Sequence, residues 1–203
     1  MLSDKNILER NKIFATLART SPVLILFGAF FSCILQPSYS SFYLLVLIVF
    51  TSIFNFGLKN LVSKPIYKLS GKNELPLIGM GSRPKGANSC DLTIDGKHAS
   101  SFGMPSGHSQ IIWTVGIYLL CRIINNNYYK ANDLGNTMNT LSIMWLVISC
   151  TVIFFVMIYV SYSRVYIEGC HTIQQVIIGG LIGSAVGFIA FYFEDSILKI
   201  VKI

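Results

Sequence analysis

Charged residues are scarce in this chain and absent from long stretches of it. Aspartate, glutamate, lysine and arginine make up 12% of the 203 residues, whereas soluble domains carry about 25%. Residues 20–58 and 134–163 contain no charged residue, and residues 99–121 and 169–193 contain one histidine each. Because soluble helices need a charged or polar face, this pattern excludes a soluble globular protein and predicts a membrane protein.

The uncharged windows predict an all-α integral membrane bundle with about five transmembrane helices. One crossing needs about 20 apolar residues. The first window is about twice that length, and Gln36-Pro37-Ser38 divides it into two spans. The five helices are predicted near residues 21–36, 41–63, 106–124, 141–163 and 171–193.

The segments outside these helices complete a single domain over residues 1–203. Residues 1–19 mix acidic and basic side chains, and no small-residue cleavage site follows the first apolar run. They are predicted to be an interfacial lead-in rather than a signal peptide. Residues 64–104 are predicted to form a long loop, and Asn125-Asn126-Asn127 a short polar break before the fourth helix.

Cysteine is present in an odd number and without a metal-binding pattern. The five cysteines form no Cys-x-x-Cys pair, which argues against a metal framework and a full set of disulfides. We interpret them as small apolar packing residues.

Alternate crossing of the membrane brings four helix ends to the same side. These are the end of the second helix, the start of the third, the end of the fourth and the start of the fifth, and the loop at 64–104 lies there too. The candidate site residues at these places are Lys59, Arg83, Ser106, Gly107, His108, Arg164 and His171. Ionisable residues at membrane helix ends are costly unless they converge on a site, so we predict an active site at this membrane face.

The residue types in this set suit a phosphate group. An arginine presents a planar fork to phosphate oxygens, histidines transfer protons or attack phosphorus, and a helix N-terminus offers N–H groups. Each residue also has a plainer interpretation. Ser106 could only cap a helix, and Arg164 could only reach toward lipid headgroups. Their convergence favours a membrane-embedded phosphatase.

At these residues the chain resembles the type 2 phosphatidic acid phosphatase superfamily. Arg83-Pro84, Pro105-Ser106-Gly107-His108 and Ser163-Arg164 followed by His171 stand in the order of the family's motifs. The run 103–110, Gly-Met-Pro-Ser-Gly-His-Ser-Gln, and Gln175 in place of the usual aspartate are most similar to its dolichyl-diphosphate phosphatases.

The chain departs from the family pattern twice. The motif lysine is assigned to Lys59, with an inserted loop before Arg83, and Lys64 or Lys72 are alternatives. Six residues separate Arg164 from His171, where the family has five. The extra residue is predicted to bulge in the loop.

The resemblance implies a two-step reaction without metal or other cofactor. His171 would attack the terminal phosphorus to form a phosphohistidine, and His108 would protonate the leaving oxygen and then activate water. Lys59, Arg83, Ser106, Gly107 and Arg164 would bind the phosphate. Gln175, one helical turn beyond His171, is placed to orient that imidazole.

The expected substrate is a polyprenyl or dolichyl diphosphate, cleaved to the monophosphate and inorganic phosphate. Two alternatives remain open: a phosphatase for phosphatidic acid or another lipid phosphate, and a non-enzymatic lipid-binding membrane protein with a decayed site. An intramembrane serine protease is disfavoured, since position 104 is methionine where its Gly-x-Ser-Gly turn needs glycine. The expected partners are a lipid substrate and the bilayer, with no nucleic acid.

The sequence leaves the orientation in the membrane open. The predicted threading puts 12 lysines and arginines on the active-site side and four on the other. The positive-inside rule then places the site in the cytoplasm. The resemblance instead implies an endoplasmic reticulum protein whose site faces the lumen.

Overall fold

The described part of the chain forms six α-helices, in the arrangement expected for a membrane bundle. The computed structural model describes residues 2–70, 83–84, 87, 102–133 and 140–201 of the 203. The helices are α1 (Leu2–Leu35), α2 (Tyr39–Gly57), α3 (Lys64–Leu69), α4 (Gly107–Asp133), α5 (Thr140–Tyr162) and α6 (Ile173–Val201). The described residues contain no strand, and the all-α prediction is confirmed.

Two helices end in a π turn on the side of the candidate site. The first π turn, Leu58–Ser63, joins α2 to α3, and the second, Ser163–Ile167, follows α5. A π turn accommodates one residue more than an α turn and rotates the side chains that follow. These two turns carry Lys59 and Arg164, so the local irregularity lies where the predicted site residues are.

Helix α1 begins 19 residues earlier than the sequence predicted. Pro22 lies inside the helix, although proline has no N–H for the carbonyl of Ala18 and is typical of a helix start. The Ser21 hydroxyl donates to that carbonyl at 2.8 Å. This bond compensates for the missing donor, so the helix continues through Pro22. The interfacial position of residues 1–19 stays a prediction.

Helix α4 also runs further than predicted. It continues through Asn125-Asn126-Asn127 to Asp133, so the predicted polar break there is wrong. The Asn127 side-chain amide donates to the Ile123 carbonyl one turn earlier, at 2.7 Å. A backbone carbonyl of the helix therefore accepts a hydrogen bond from one of the side chains that were expected to interrupt the helix.

Helix α4 is the centre of the bundle. It packs against α1, α2, α5 and α6, and its Ser109, Gln110 and Thr114 are completely buried. Because other helices surround it, α4 does not need an apolar exterior. Its 27 residues measure about 40 Å, at about 1.5 Å per residue, which exceeds the hydrocarbon thickness of about 30 Å.

The other long helices have the composition of membrane spans. Four segments are long and apolar enough to cross: Ile13–Leu35, Tyr39–Leu69, Thr140–Ile167 and Ile173–Glu194. Large apolar side chains on them point outward; Phe155 on α5, for example, is 72% exposed. The chain is a multi-pass integral membrane protein.

Three glycines spaced four residues apart bring α6 directly against α4. A Cβ atom at Gly179, Gly183 or Gly187 would lie 2.6, 2.3 or 2.3 Å from a backbone carbonyl oxygen of the facing chain. The carbonyls are those of Ser106, Gln110 and Thr114. Small residues at this spacing let membrane helices approach closely where the hydrophobic effect cannot drive association. The contact fixes the register of the two helices that begin at the site.

A separate ion pair joins the same helices near their other end. Glu194 of α6 accepts a hydrogen bond from the Tyr118 hydroxyl at 2.6 Å, and Arg122 Nε lies 3.7 Å from the carboxylate. Arg122 also lies over the Tyr118 ring. Arg122 lies about four helical turns after His108, and Glu194 lies about five turns after Gln175, so this pair is remote from the site and serves as a control below.

Candidate active site

Hydrogen bonds join the helix ends that the threading placed together. The Ser106 N–H, just before α4, donates to the Gln175 carbonyl in the first turn of α6 at 3.0 Å. The Asn55 amide, near the end of α2, donates to the Pro105 carbonyl at 3.4 Å. The His171 N–H donates to the Arg164 carbonyl at 3.2 Å. Residues more than 100 positions apart thus meet at one end of the bundle.

The His171 imidazole is buried and held in one orientation. His171 is 3% exposed. Its Nδ1 atom lies 3.0 Å from Oε1 of Gln175. Since an amide oxygen only accepts, Nδ1 carries the proton. The other nitrogen, Nε2, then has a lone pair and lies 3.4 Å from Nη1 of Arg83. The basic nitrogen of the ring therefore faces the Arg83 guanidinium, a cationic group that can bind a phosphate oxygen.

Gln175 has a second structural role that the sequence analysis missed. Its N–H donates to Oγ1 of Thr172, and its Oε1 accepts from the Thr172 N–H, both at 3.3 Å. This reciprocal pair is a capping box at the start of α6, and Thr-x-x-Gln in the sequence was its signal. A Cβ at Gly103 would lie 2.8 Å from the Gln175 amide, so only glycine fits there. Gln175 is thereby fixed from two sides.

The surroundings of His171 keep it neutral. Burial lowers the pKa of His171 well below its ordinary value, and the charges of Arg83 and then Arg164 lower this pKa further. The hydrogen bond that His171 donates to Gln175 opposes this lowering of the pKa, and the charge of Lys59 adds to it. A neutral imidazole at pH 7 is the form that can act as a nucleophile.

Lys59, the residue assigned as the motif lysine, lies close enough to His171 for its charge to affect that imidazole. Lys59 lies half-buried in the first π turn, and its charge is felt at His171. Of the two alternatives, Lys64 is exposed at the start of α3, and Lys72 lies outside the described residues. The geometry favours Lys59.

Arg164 is completely buried in the second π turn. Its Nη1 donates to Oε2 of Glu168 at 2.6 Å. The Cys170 N–H donates to the Arg164 carbonyl at 3.0 Å, and Gly169 has a φ of +61°, a conformation that favours glycine. The segment thus folds back over Arg164, and the π turn with this glycine accommodates the extra residue before His171.

His108 lies in the first turn of α4 and contacts a residue that no motif contains. Its Nε2 lies 2.8 Å from the Arg19 carbonyl oxygen of α1. The carbonyl can only accept, so Nε2 carries the proton and Nδ1 is the basic nitrogen. Arg19 also reaches Glu168 with its side chain, at 3.1 Å. Arg19 is a residue that could not be identified from the motifs in the sequence.

Ser106 and Gly107 shape the start of α4. Ser106 is completely buried, its N–H binds the Gln175 carbonyl, and its Oγ lies 3.5 Å from the Ser109 N–H in the N-cap position. A Cβ at Gly107 would lie 3.0 Å from Oδ1 of Asn55. Both residues therefore have a structural role, and the phosphate contact expected of them stays a prediction.

Asn55 is another site residue that the sequence analysis missed. Its amide donates to Oε1 of Gln110 at 2.7 Å as well as to Pro105. Both amide side chains are buried. The signal was available, because an amide inside an apolar span is costly unless it is bonded. Asn55 ties α2 to the turn before α4.

The interpretation of all five cysteines as packing residues is wrong for one of them. Cys33, Cys121 and Cys150 are free, but Cys170 is disulfide-bonded. It directly precedes His171 and is completely buried. An odd number of cysteines argues only against complete pairing, so the sequence did not exclude one disulfide.

Together, these observations define a membrane helical bundle with a buried, basic, two-histidine site at one end. Residues 40–197 match the family model of the PAP2 superfamily, and the chain belongs to that superfamily. The predicted resemblance is confirmed.

Similar proteins include dolichyldiphosphatase 1 of three mammals. The chain is 31% identical to that of Homo sapiens, 30% to that of Callithrix jacchus and 31% to that of Mus musculus. Each match extends over 99 residues, 49% of this chain and 39% of the relative. The matched region is therefore well under half the length of these relatives. No solved structure matches the chain.

Proposed function

We propose that this protein hydrolyses a polyprenyl diphosphate to the monophosphate and inorganic phosphate through a phosphohistidine. The observation that carries the proposal is the protonation and orientation of the His171 imidazole. Gln175 binds its Nδ1–H at 3.0 Å, so the lone pair of Nε2 faces Arg83 at 3.4 Å. A neutral, oriented nucleophile next to a phosphate-binding arginine is what in-line attack on phosphorus requires.

The reaction then has two steps. In the first, His108 has taken up a proton on Nδ1 on binding of the anionic substrate. His171 Nε2 then forms a bond to the terminal phosphorus, the bond to the bridging oxygen breaks, and His108 gives that oxygen the proton from Nδ1. In the second, His108 takes a proton from water, the oxygen attacks phosphorus, and inorganic phosphate leaves His171. Because His108 Nε2 binds the Arg19 carbonyl, both proton transfers take place at Nδ1.

Basic side chains supply the charge that this reaction needs. Phosphoryl transfer spreads negative charge over the equatorial oxygens, and fixed cations stabilise it. Arg83 and Arg164 are the two arginines whose charges act most on His171, with Lys59 a smaller contribution. Gly107 and His108 add N–H groups in the first turn of α4, where a helix has unsatisfied donors.

An apolar groove beside the site supports a lipid substrate. It has a volume of about 510 Å³ and lies between α1, α4 and α5. Its lining includes Ala18, next to Arg19; Ile112, one turn after His108; and Val160, one turn before Arg164. A lipid chain in this groove would hold its phosphates at the level of the two histidines. The groove lies on the side of His108, where the leaving monophosphate must be.

The choice of diphosphate predicts a preference that can be measured. A diphosphate carries more negative charge than phosphatidic acid, which suits a pocket with two arginines and a lysine. We expect the kcat/KM on dolichyl diphosphate to exceed that on phosphatidic acid by about tenfold or more in the same mixed micelles. A preference for phosphatidic acid would contradict the substrate assignment and leave a lipid phosphatase. Phosphate release from neither lipid would favour the non-enzymatic alternative.

The charge arrangement also predicts that activity needs no divalent metal. The three basic residues and the helix N-terminus provide the stabilisation that Mg²⁺ provides in other phosphoryl transfer enzymes. Phosphate release in the presence of a chelator should therefore be within about twofold of the untreated rate. Activity that disappears with the chelator and returns only with added Mg²⁺ would contradict the mechanism.

We infer that the site faces the lumen of the endoplasmic reticulum. Disulfides persist in oxidising compartments and are rare in the cytosol, and Cys170, directly before His171, is disulfide-bonded. This argues for the luminal orientation that the resemblance implies and against the positive-inside count. The name of the mammalian relatives, dolichyldiphosphatase 1, supports a role in dolichol lipid metabolism.

A further inference from the structure

A buried carboxylate lies among the basic residues of the site and outside the motifs. Glu168 stands in the six-residue segment between Arg164 and His171, and its side chain is 1% exposed. Its Oε2 accepts from Nη1 of Arg164 at 2.6 Å and from Nε of Arg19 at 3.1 Å. Its Oε1 accepts from the Ser163 hydroxyl at 3.3 Å. The carboxylate therefore bridges two guanidinium groups from different parts of the chain.

The bridge changes the charge available to a phosphate. A buried carboxylate paired with Arg164 alone would make a neutral pair, and the attraction of Arg164 for an anion would fall. With Arg19 included, two positive charges and one negative charge leave a net charge of +1. At an effective dielectric constant of about 20, one unit charge about 8 Å from a phosphate changes the affinity by about 30-fold. Arg19 thus lets Glu168 hold Arg164 without cancelling the charge that Arg164 adds to the pocket.

The position of Arg19 also couples this bridge to the general acid. The same residue accepts the His108 Nε2–H with its backbone carbonyl, at 2.8 Å. Arg19 lies in the turn of α1 where Pro22 removes a donor and Ser21 compensates at Ala18. One residue of α1 thereby contacts both His108 and the carboxylate partner of Arg164.

We propose that Arg19 and Glu168 are positioning residues: Glu168 holds the Arg164 guanidinium in place, and Arg19 offsets the charge of Glu168, so that the Arg19–Glu168–Arg164 bridge keeps a net charge of +1. The proposal rests on the proposed function only in that the bound anion is the phosphate of the substrate. The competing explanation is that the bridge merely attaches α1 to the segment after α5.

A set of four variants separates these explanations, with inorganic phosphate as the probe. The variants are Arg19→Lys, Arg19→Gln, Glu168→Gln and the double variant Arg19→Gln/Glu168→Gln. Phosphate affinity is measured on the purified protein in detergent, by fitting the rise of the thermal midpoint with phosphate concentration c to a stabilisation of RT ln(1 + c/Kd). The kcat and KM for the lipid substrate are measured in parallel.

We expect Arg19→Gln to weaken phosphate binding by about tenfold or more, because Glu168 then neutralises Arg164. Arg19→Lys keeps the charge and should stay close to the parent protein. The double variant restores a net charge of +1, so it should bind phosphate more tightly than Arg19→Gln alone. Glu168→Gln should bind phosphate at least as well as the parent and yet have a lower kcat, since Arg164 loses its anchor.

The matched control is Arg122→Gln, which removes an arginine from the Arg122–Glu194 pair at the other end of the bundle. It should leave phosphate affinity and KM unchanged. A purely structural bridge predicts that Arg19→Gln and the double variant bind phosphate equally, and this result would overturn the proposal. So would an Arg19→Gln protein with the affinity of the parent.

The two proposals fail in different ways. If the parent protein releases no phosphate from any lipid but the phosphate affinities follow the expected order, the proposed function is wrong and the positioning role stands. If the parent is active but the order is absent, the function stands and the positioning role is wrong.

Discussion

Replacing His171 by alanine should reduce phosphate release to background and abolish the acid-labile phosphoenzyme. The reason is that Nε2 of this ring forms the bond to phosphorus in the proposed mechanism, and a methyl group cannot replace it. Both quantities can be measured on one sample, by rapid quench with a labelled lipid diphosphate followed by acid and base treatment. A fully active His171→Ala protein would overturn the assignment of the nucleophile.

Replacing His108 by alanine should give a different result, because this ring transfers protons in the proposed mechanism. Loss of a general acid–base group costs about 10²- to 10⁴-fold in turnover. With a good leaving group that needs no proton, the first step can still proceed, and the phosphoenzyme should accumulate because water is not activated. His98→Ala provides the matched control, since it is the remaining histidine of three and has no role in the mechanism. Equal phosphoenzyme levels in all three variants would contradict the two-step scheme.

The convergence of the site could be predicted because it follows from topology. Uncharged windows set the number of crossings, and alternate crossing then fixes which ends share a membrane face. Arg83, Arg164 and His171 do meet there: Arg83 Nη1 lies 3.4 Å from His171 Nε2, and the Arg164 carbonyl accepts the His171 N–H. Gln175 could be placed too, because one helical turn separates it from His171.

Residues that act through packing could not be placed in this way. Arg19 and Glu168 are 149 positions apart. Nothing in the local sequence around either residue indicates that the other is its partner. Their contact depends on how α1 leans against the segment after α5, which is set by side-chain packing across the whole bundle. Asn55 differs, because a lone amide in an apolar span indicates a buried partner even though it does not say which one.

Helices α1 and α4 are both longer than the sequence predicted. Pro22 and Asn125-Asn126-Asn127 are typical of helix ends, yet α1 and α4 run through them. In each case a nearby side chain satisfies the helix: the Ser21 hydroxyl binds the Ala18 carbonyl and the Asn127 amide binds the Ile123 carbonyl. Propensity is a weak guide when the local side chains can satisfy the backbone.

The substitution expected to disturb the fold most is Gly183→Ala. The Gly183 Cα faces the Gln110 carbonyl so closely that a Cβ would lie 2.3 Å from the oxygen. A backbone oxygen cannot turn aside as a side chain can, so Gly183→Ala must push α6 away from α4. Overpacking of this kind costs about 1–3 kcal/mol, and 1 kcal/mol corresponds to about 2–4 °C in a chain of this size. We expect a fall of several degrees in the thermal midpoint in detergent.

The same displacement should also reduce activity, because His108 begins α4 and Gln175 begins α6. The matched control is Gly28→Ala in α1, where a Cβ would have no heavy atom within 4 Å. There the substitution should raise stability by about 0.5–1 kcal/mol, since alanine loses less backbone freedom than glycine in a helix. Comparing the two variants separates helix propensity, which favours alanine at both positions, from the close approach, which opposes it only at Gly183. A Gly183→Ala protein as stable as Gly28→Ala would show that α4 and α6 are not held at this distance.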